Sequence, residues 1–483
     1  MPLAVGLVGA LLTGCSLAPR YQAPTPPQVV SYKEMGDWVR AEPAKAQSDQ
    51  PWWTAFDDPQ LSTLERQLDQ SNPDLNAALA RFQQAQAIAR RARSDLYPSV
   101  DAGASAVRGL SSAAAPLSTA LGGATSPVND FLATVDLSWE IDLFGRLRNT
   151  AAAAGAEAQA SVADLAAVRL SLQAELASDY FSLRGADATE RVLADAIGNY
   201  DHAYALTSNR YQQGTAASTD VEQADTQRQN ARAQLAATQL QRAQLEHAIA
   251  VLLGEIPSSF TLSGGALAGA PPPMSVALPS TLLQRRPDIA AAERRMAAAN
   301  AQIGVARAAW FPVFSLSGAA GYESIAAGRW LTAPSRLWSI GPAMQVPLLD
   351  AGARSAINRQ ARAAYQEAVD DYRRVMLTAY QEVEDNLAGL HYLADQVRAD
   401  QAATVSAQSA AYHADQRYDT GVADYIEVTT THTAALQAQR DTIDARVSQL
   451  NAAVALIRAT GGGWGVAPPQ VARRDTGQGG GHD

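Results

Sequence analysis

The chain repeats itself, and this limits the folds open to it more than any other feature. Asn72-Pro73-Asp74-Leu75 recurs as Arg286-Pro287-Asp288-Ile289. Each precedes a long stretch rich in Ala, Arg and Gln that closes on an aromatic and a proline, Tyr97-Pro98 and Phe311-Pro312. The differences 287 − 73 and 312 − 98 are both 214. Further on, Arg210-Tyr211-Gln212-Gln213-Gly214 recurs as Arg417-Tyr418-Asp419-Thr420-Gly421, and 421 − 214 is 207. The first copy thus carries about seven extra residues, which fit the Gly-, Ser-, Ala- and Pro-rich surface loop around 109–128. Matching landmarks in the same order mark a duplication. The repeats are placed at 61–265 and 266–464, with a flexible tail over 465–483.

Each repeat reads as helix, strand, loop, strand and then long helices. Phe131, Ala133, Val135, Leu137, Trp139, Ile141 and Leu143 alternate with Leu132, Thr134, Asp136, Ser138, Glu140 and Asp142. Period two, with one face apolar and the other largely polar or acidic, predicts a strand over 129–144. In the second copy Trp338, Ile340, Met344, Val346 and Leu348 carry the same pattern over 336–349, and partner strands are expected over 98–110 and 311–322. Strands of this length can cross a bilayer when tilted, with apolar side chains toward lipid and polar ones toward water. Four strands cannot close a water-filled barrel, and open edges are not tolerated in lipid, so three chains supplying twelve strands are expected. Helices are expected over 146–184, 187–213, 218–253, 276–309, 353–390, 393–419 and 424–459. Ala224, Ala231, Ala233, Ala236 and Ala237 put small residues on more than one face, as a wall of helices needs.

The formal charge of −10 excludes a general nucleic-acid binder, which needs a basic stripe for phosphates. The six histidines lack the i, i+4 spacing of a helical metal pair and read as surface or packing residues, and one cysteine builds neither a disulfide nor a zinc site. No nucleophile elbow or phosphate loop is present, and acidic groups such as Glu382, Glu384 and Asp385 read as solvated helix faces. No enzyme activity, cofactor or metal is expected. The single cysteine, Cys15, follows an apolar run from Leu3 to Leu12 that is too short to span a bilayer. Leu12-Thr13-Gly14-Cys15 resembles a bacterial lipobox, with 1–14 as signal peptide and Cys15 as the lipidated mature N-terminus. The segment 15–60 holds Pro19, Pro24, Pro26, Pro27, Pro43 and Pro51 and reads as an extended tether, its end docked by Trp52, Trp53 and Phe56.

Together the lipobox, the two repeats, Trp139-Glu140-Ile141-Asp142-Leu143-Phe144-Gly145, the paired Arg-Tyr-x-x-Gly turns and Gly461-Gly462-Gly463-Trp464 resemble the outer-membrane factor (TolC-like) family, in its NodT/OprM-like lipoprotein branch. The resemblance covers roughly 15–464. It implies a mixed fold, a membrane β-barrel plus a long α-helical barrel, with a homotrimer closing twelve strands in the outer membrane and twelve helices in the periplasm. It implies an exit duct for small toxic molecules, served by a periplasmic adaptor and an inner-membrane pump of the resistance-nodulation-division type, and Ser16 implies sorting to outer-membrane lipid. An exit duct for type I protein secretion and a non-conducting periplasmic tether are the alternatives. The turns would form the periplasmic tip, with Gly214, Thr215, Gly421 and Val422 touching the adaptor. The gate would involve Ile426, as an apolar constriction residue, and Glu427, as one acidic position. Thr430 and Thr433 stand where relatives carry Asp and Arg, so less charge is expected at the gate. Tyr418 and Asp220 match positions that hydrogen-bond between neighbouring helix pairs, a charge-assisted bond.

Cys15→Ser is expected to abolish metabolic palmitate labelling; labelling equal to wild type would refute the lipobox reading.

Overall fold

The computed structural model describes residues 16–24, 32–34, 51–110, 112, 126–272 and 286–462. The segment 1–14, Cys15, Gly463, Trp464 and the tail 465–483 lie outside the described residues. The elements are α1 (Pro59–Ser71), α2 (Pro73–Ser94), β1 (Ser99–Gly109), β2 (Val128–Ile141), α3 (Arg146–Gln212), α4 (Ser218–Leu252), α5 (Pro287–Ala308), β3 (Val313–Ser324), β4 (Arg336–Gln345), α6 (Ala353–Asp419) and α7 (Tyr425–Ala459). The chain forms two compact units that cut across the repeats. One holds the strands with 1–24, 81–161 and 291–373; the other holds 25–80, 162–290 and 374–483.

In the first unit the four strands make one antiparallel sheet in the order β1-β2-β3-β4. The repeats meet at β2 and β3, where Val135 faces Ala320 and Trp139 faces Leu316. β4 stops at Gln345, short of the expected 349, and Pro347 follows, which has no amide proton for a ladder. Trp139 donates its indole N–H to the Leu96 carbonyl at 3.1 Å. Glu140 accepts both arms of the Arg146 guanidinium at 2.8 and 2.6 Å, joining the end of β2 to the start of α3. The start of the chain is strapped along α5. Ser16 donates to Asn149 at 2.9 Å, the Leu17 carbonyl accepts from Arg307 at 3.1 Å, the Pro19 carbonyl accepts from Asn300 at 2.9 Å, and the Tyr21 hydroxyl meets the Glu293 carboxylate. This part of the expected tether is therefore docked on the body.

The second unit holds the main core, in which Leu61, Leu68, Leu176, Phe181 and Leu183 pack with Ile249, Leu253, Leu450 and Val454, so both repeats contribute. Trp53 is buried in it and Trp52 and Phe56 pack against it, as docking of the tether end requires. The repeated Asn/Arg-Pro-Asp motif acts here in both copies. Asn72 donates to the Leu252 carbonyl at the end of α4 at 2.7 Å, and Arg286 donates to the Ala459 carbonyl at the end of α7 at 3.1 Å. Each closes one of the carbonyls that a helix end leaves open.

Two helix breaks expected from sequence are absent: α3 and α6 run unbroken through 185–186 and 391–392. At Gly185 the missing side chain serves packing, since a Cβ there would sit 2.4 Å from the Val447 methyl on α7. A mid-helix glycine costs roughly 1 kcal/mol relative to alanine, an amount the close helix approach can offset. Among the described residues no helix is long and apolar enough to cross a membrane.

Glu65 is the exception in this core. It is fully buried on α1, and among the described residues neither carboxylate oxygen has a partner. Burial, with a smaller contribution from Asp69, pushes its pKa up to about 9. The folded chain therefore holds Glu65 neutral while the unfolded chain ionises it in the ordinary carboxylate range. Folding stability should fall as pH rises from that range through about 9, at about 1.4 kcal/mol per pH unit for this one group. Glu65→Gln is expected to flatten this part of the dependence in thermal denaturation between roughly pH 5 and pH 9; slopes identical to wild type would contradict it.

Candidate functional site at the helix-hairpin turns

The paired Arg-Tyr-x-x-Gly motifs end α3 and α6 and turn each chain direction back into α4 and α7. In the first turn Thr215 donates its amide to the Arg210 carbonyl at 2.9 Å and Gly214 donates to Tyr211 at 2.9 Å. In the second, Val422 donates to Arg417 at 2.9 Å and Gly421 to Tyr418 at 3.0 Å. These bonds close the last helical carbonyls, and the geometry needs a left-handed residue. Gly214 has φ +74° and Gly421 has φ +75°. A Cβ at either would meet nothing within 4 Å, so conformation, not crowding, requires glycine. Gly214, Thr215, Gly421 and Val422 are all exposed.

Behind the matching turns the two copies differ. Arg210 stacks on the Tyr418 ring at 4.3 Å and donates to the Tyr418 carbonyl at 3.4 and 3.3 Å, so the first hairpin holds the second. Arg417 instead donates to Glu427 at 2.6 Å within its own hairpin. Tyr211 is exposed and Tyr418 is buried. The Tyr418 hydroxyl pairs with Thr207 at 3.2 Å. Asp220 accepts the Ala217 amide at 3.3 Å and caps α4. Within one chain the expected Tyr418–Asp220 pair is not made. Tyr425 packs edge-on against Tyr418, ring centroids 5.6 Å apart. Burial raises the pKa of Tyr425, with nearby Tyr418 and Asp220 adding to it.

Ile426, Thr430 and Thr433 lie at i, i+4 and i+7 on α7, and all three are exposed. Sequence reasoning missed Arg210, Thr207 and Tyr425, and read His432 only as a surface or packing residue. The His432 Nε2 meets Asp415 at 2.8 and 3.0 Å and its ring lies edge-on to Tyr200. The spacing of 17 residues across a turn, with the Gly421 turn as pivot, was the available signal. A cavity of about 200 Å³ sits among Tyr200, Tyr418, Tyr425 and His432. Among the described residues no group of His, Cys, Asp or Glu is placed to hold a metal ion.

Comparison with known proteins agrees with this architecture. Residues 64–255 and 278–462 match the family model for outer membrane efflux proteins. The chain is 31% identical over 469 residues to the antibiotic efflux pump outer membrane protein ArpC of Pseudomonas putida, covering 96% of this chain and 95% of that protein. It is 30% identical over 458 residues to the probable outer membrane lipoprotein SilC of Salmonella typhimurium, covering 94% and 97%. The solved outer-membrane channel OprN superposes with a TM-score of 0.85 at 30% identity, covering 93% of this chain and 99% of that one.

Arg210→Ala is expected to raise amide hydrogen exchange over 417–428 roughly tenfold, the equivalent of about 1.4 kcal/mol, whereas Arg417→Ala should leave Tyr418 protected. Equal exchange in the two variants would contradict the cross-hairpin clamp. With its repeats, four-stranded sheet, paired long helices and glycine turns matched over nearly the whole length, the chain belongs to the outer membrane efflux protein family.

Proposed function

We propose that this outer membrane efflux protein works as a passive, gated exit duct that performs no chemistry on what passes through it. The chain is the outer-membrane channel of a tripartite efflux system, receiving small molecules from an inner-membrane pump through a periplasmic adaptor. Three copies close a twelve-stranded barrel in the outer membrane and a twelve-helix tunnel in the periplasm. The observation that carries the reading is the four-stranded sheet, whose edge strands β1 and β4 each have one neighbour among the described residues. A sheet in lipid must satisfy those edges, and copies of itself do so without leaving any open.

The periplasmic end is closed at the second hairpin, with Ile426, Thr430 and Thr433 facing the bore, Glu427 beside them, and Tyr418 and Asp220 behind them. The exposed turns at Gly214-Thr215 and Gly421-Val422 meet the adaptor. The outer membrane is also held through lipid on Cys15. Ser16, the next residue, is fixed to Asn149, and Leu17 is fixed to Arg307 near the end of α5, one short connection from β3. This fixing of Ser16 and Leu17 near β3 supports reading Cys15 as the anchored end of the chain.

The purified protein in a planar bilayer is expected to conduct ions in discrete steps; absence of conductance from a verified trimer would favour the non-conducting tether. Gly421→Arg, which places a bulky charge on the tip, is expected to abolish efflux in cells while leaving trimers in the membrane. Full efflux by that variant would remove the tips from the adaptor contact.

A further inference from the structure

We propose that the resting duct is sealed by a methyl-lined, dewetted constriction rather than by a ring of charges. The inference rests on the reading above that the exposed stripe of α7 faces the bore. Its substance is how the threonines of that helix use their hydroxyls. Thr429, Thr430, Thr431 and Thr433 each donate to the carbonyl four residues back, on Tyr425, Ile426, Glu427 and Thr429, at 3.0, 2.7, 2.9 and 2.7 Å. Such back-bonding occupies the hydroxyl proton and leaves water only the oxygen lone pairs. On the exposed line the side chains therefore present the Ile426 body and two threonine methyls, with Ile426 at 61% exposure.

Three of the carboxylates around this line are paired. Glu427 is held by Arg417 at 2.6 Å. Asp424 is the exposed, extended N-cap residue before the first turn of α7 and lies outside the i, i+4, i+7 line. Asp415, on the facing helix, is held by His432. Continuing along the stripe from Thr433 leads through Gln437 to Asp441, and these two are bonded to each other at 2.8 Å. Three copies would thus meet through three isoleucines and six threonine methyls. A narrow bore lined this way is empty of water most of the time, so at rest it passes ions only in brief, rare openings. Opening it requires widening the hairpins, with no salt bridge to break in the bore itself.

The full-length trimer in planar bilayers tests this, with hexamminecobalt(III) as the probe for a charged ring. Wild type is expected to show low resting conductance that millimolar probe leaves unchanged. Thr430→Val combined with Thr433→Val, which keeps the shape and removes both hydroxyls, is expected to leave resting conductance equal or lower. Thr430→Asp is expected to raise it roughly fivefold or more and to create block by the probe. Block of wild type, or a rise in conductance in the Val pair, would overturn the dewetted seal while leaving the stripe as the gate. If Thr430→Asp and Ile426→Asp both conduct as wild type and neither is blocked by the probe, the stripe is not the constriction and the reading beneath the proposal falls.

Discussion

The edges of one four-stranded sheet govern the rest. β2 and β3 are paired on both sides, while β1 and β4 each carry a row of amides and carbonyls without a strand partner among the described residues. In water such an edge is an aggregation hazard; in hydrocarbon it is untenable, because each unsatisfied group costs several kcal/mol. The sheet must therefore be completed by identical sheets, and completion by rotation gives a closed ring with no residual edge. The long helices follow from the same arrangement. Each repeat contributes two strands, and β2 and β4 are each followed by a helix of 67 residues.

Duplication supplied two of every part, and the parts have since diverged in use. Asn72 and Arg286 perform the same closure of a helix end, one with a neutral amide and the other with a guanidinium that also reaches Asp288 and Glu382. At the turns the divergence lies in the side-chain contacts. Arg210 crosses to the other hairpin and Arg417 remains at home on Glu427. Equal backbone geometry at the two glycines therefore supports unequal side-chain roles, with one hairpin restraining and the other restrained.

Much of the fold could be read from the residues, for identifiable reasons. Strict alternation over 131–143 fixes a strand because period two has no helical counterpart, and β2 spans Val128–Ile141. The glycine turns could be read because a left-handed position after a helix has few alternatives to glycine. The helix break expected at 185–186 is absent; Gly185 there admits a methyl of Val447, 262 residues away, a packing role that a string of letters does not show. The candidate site was partly legible in the same way. Ile426, Thr430 and Thr433 share a face by simple counting. The partners Thr207 and Arg210 of Tyr418 lie more than 200 residues back and leave no local signature.

The strap over residues 16–21 carries a consequence for the order in which the molecule is made. Its bonds to Asn149, Asn300 and Glu293 close sequence separations of 133, 281 and 272 residues. Contacts this distant are entropically expensive to close before the intervening chain has condensed. Residues 16–21 thus find their places late, and only after α3 and α5 exist. The strap is a clasp across the duplication: it fastens only once α3 of the first repeat and α5 of the second are in place, so a fastened strap marks a chain made at least as far as Arg307.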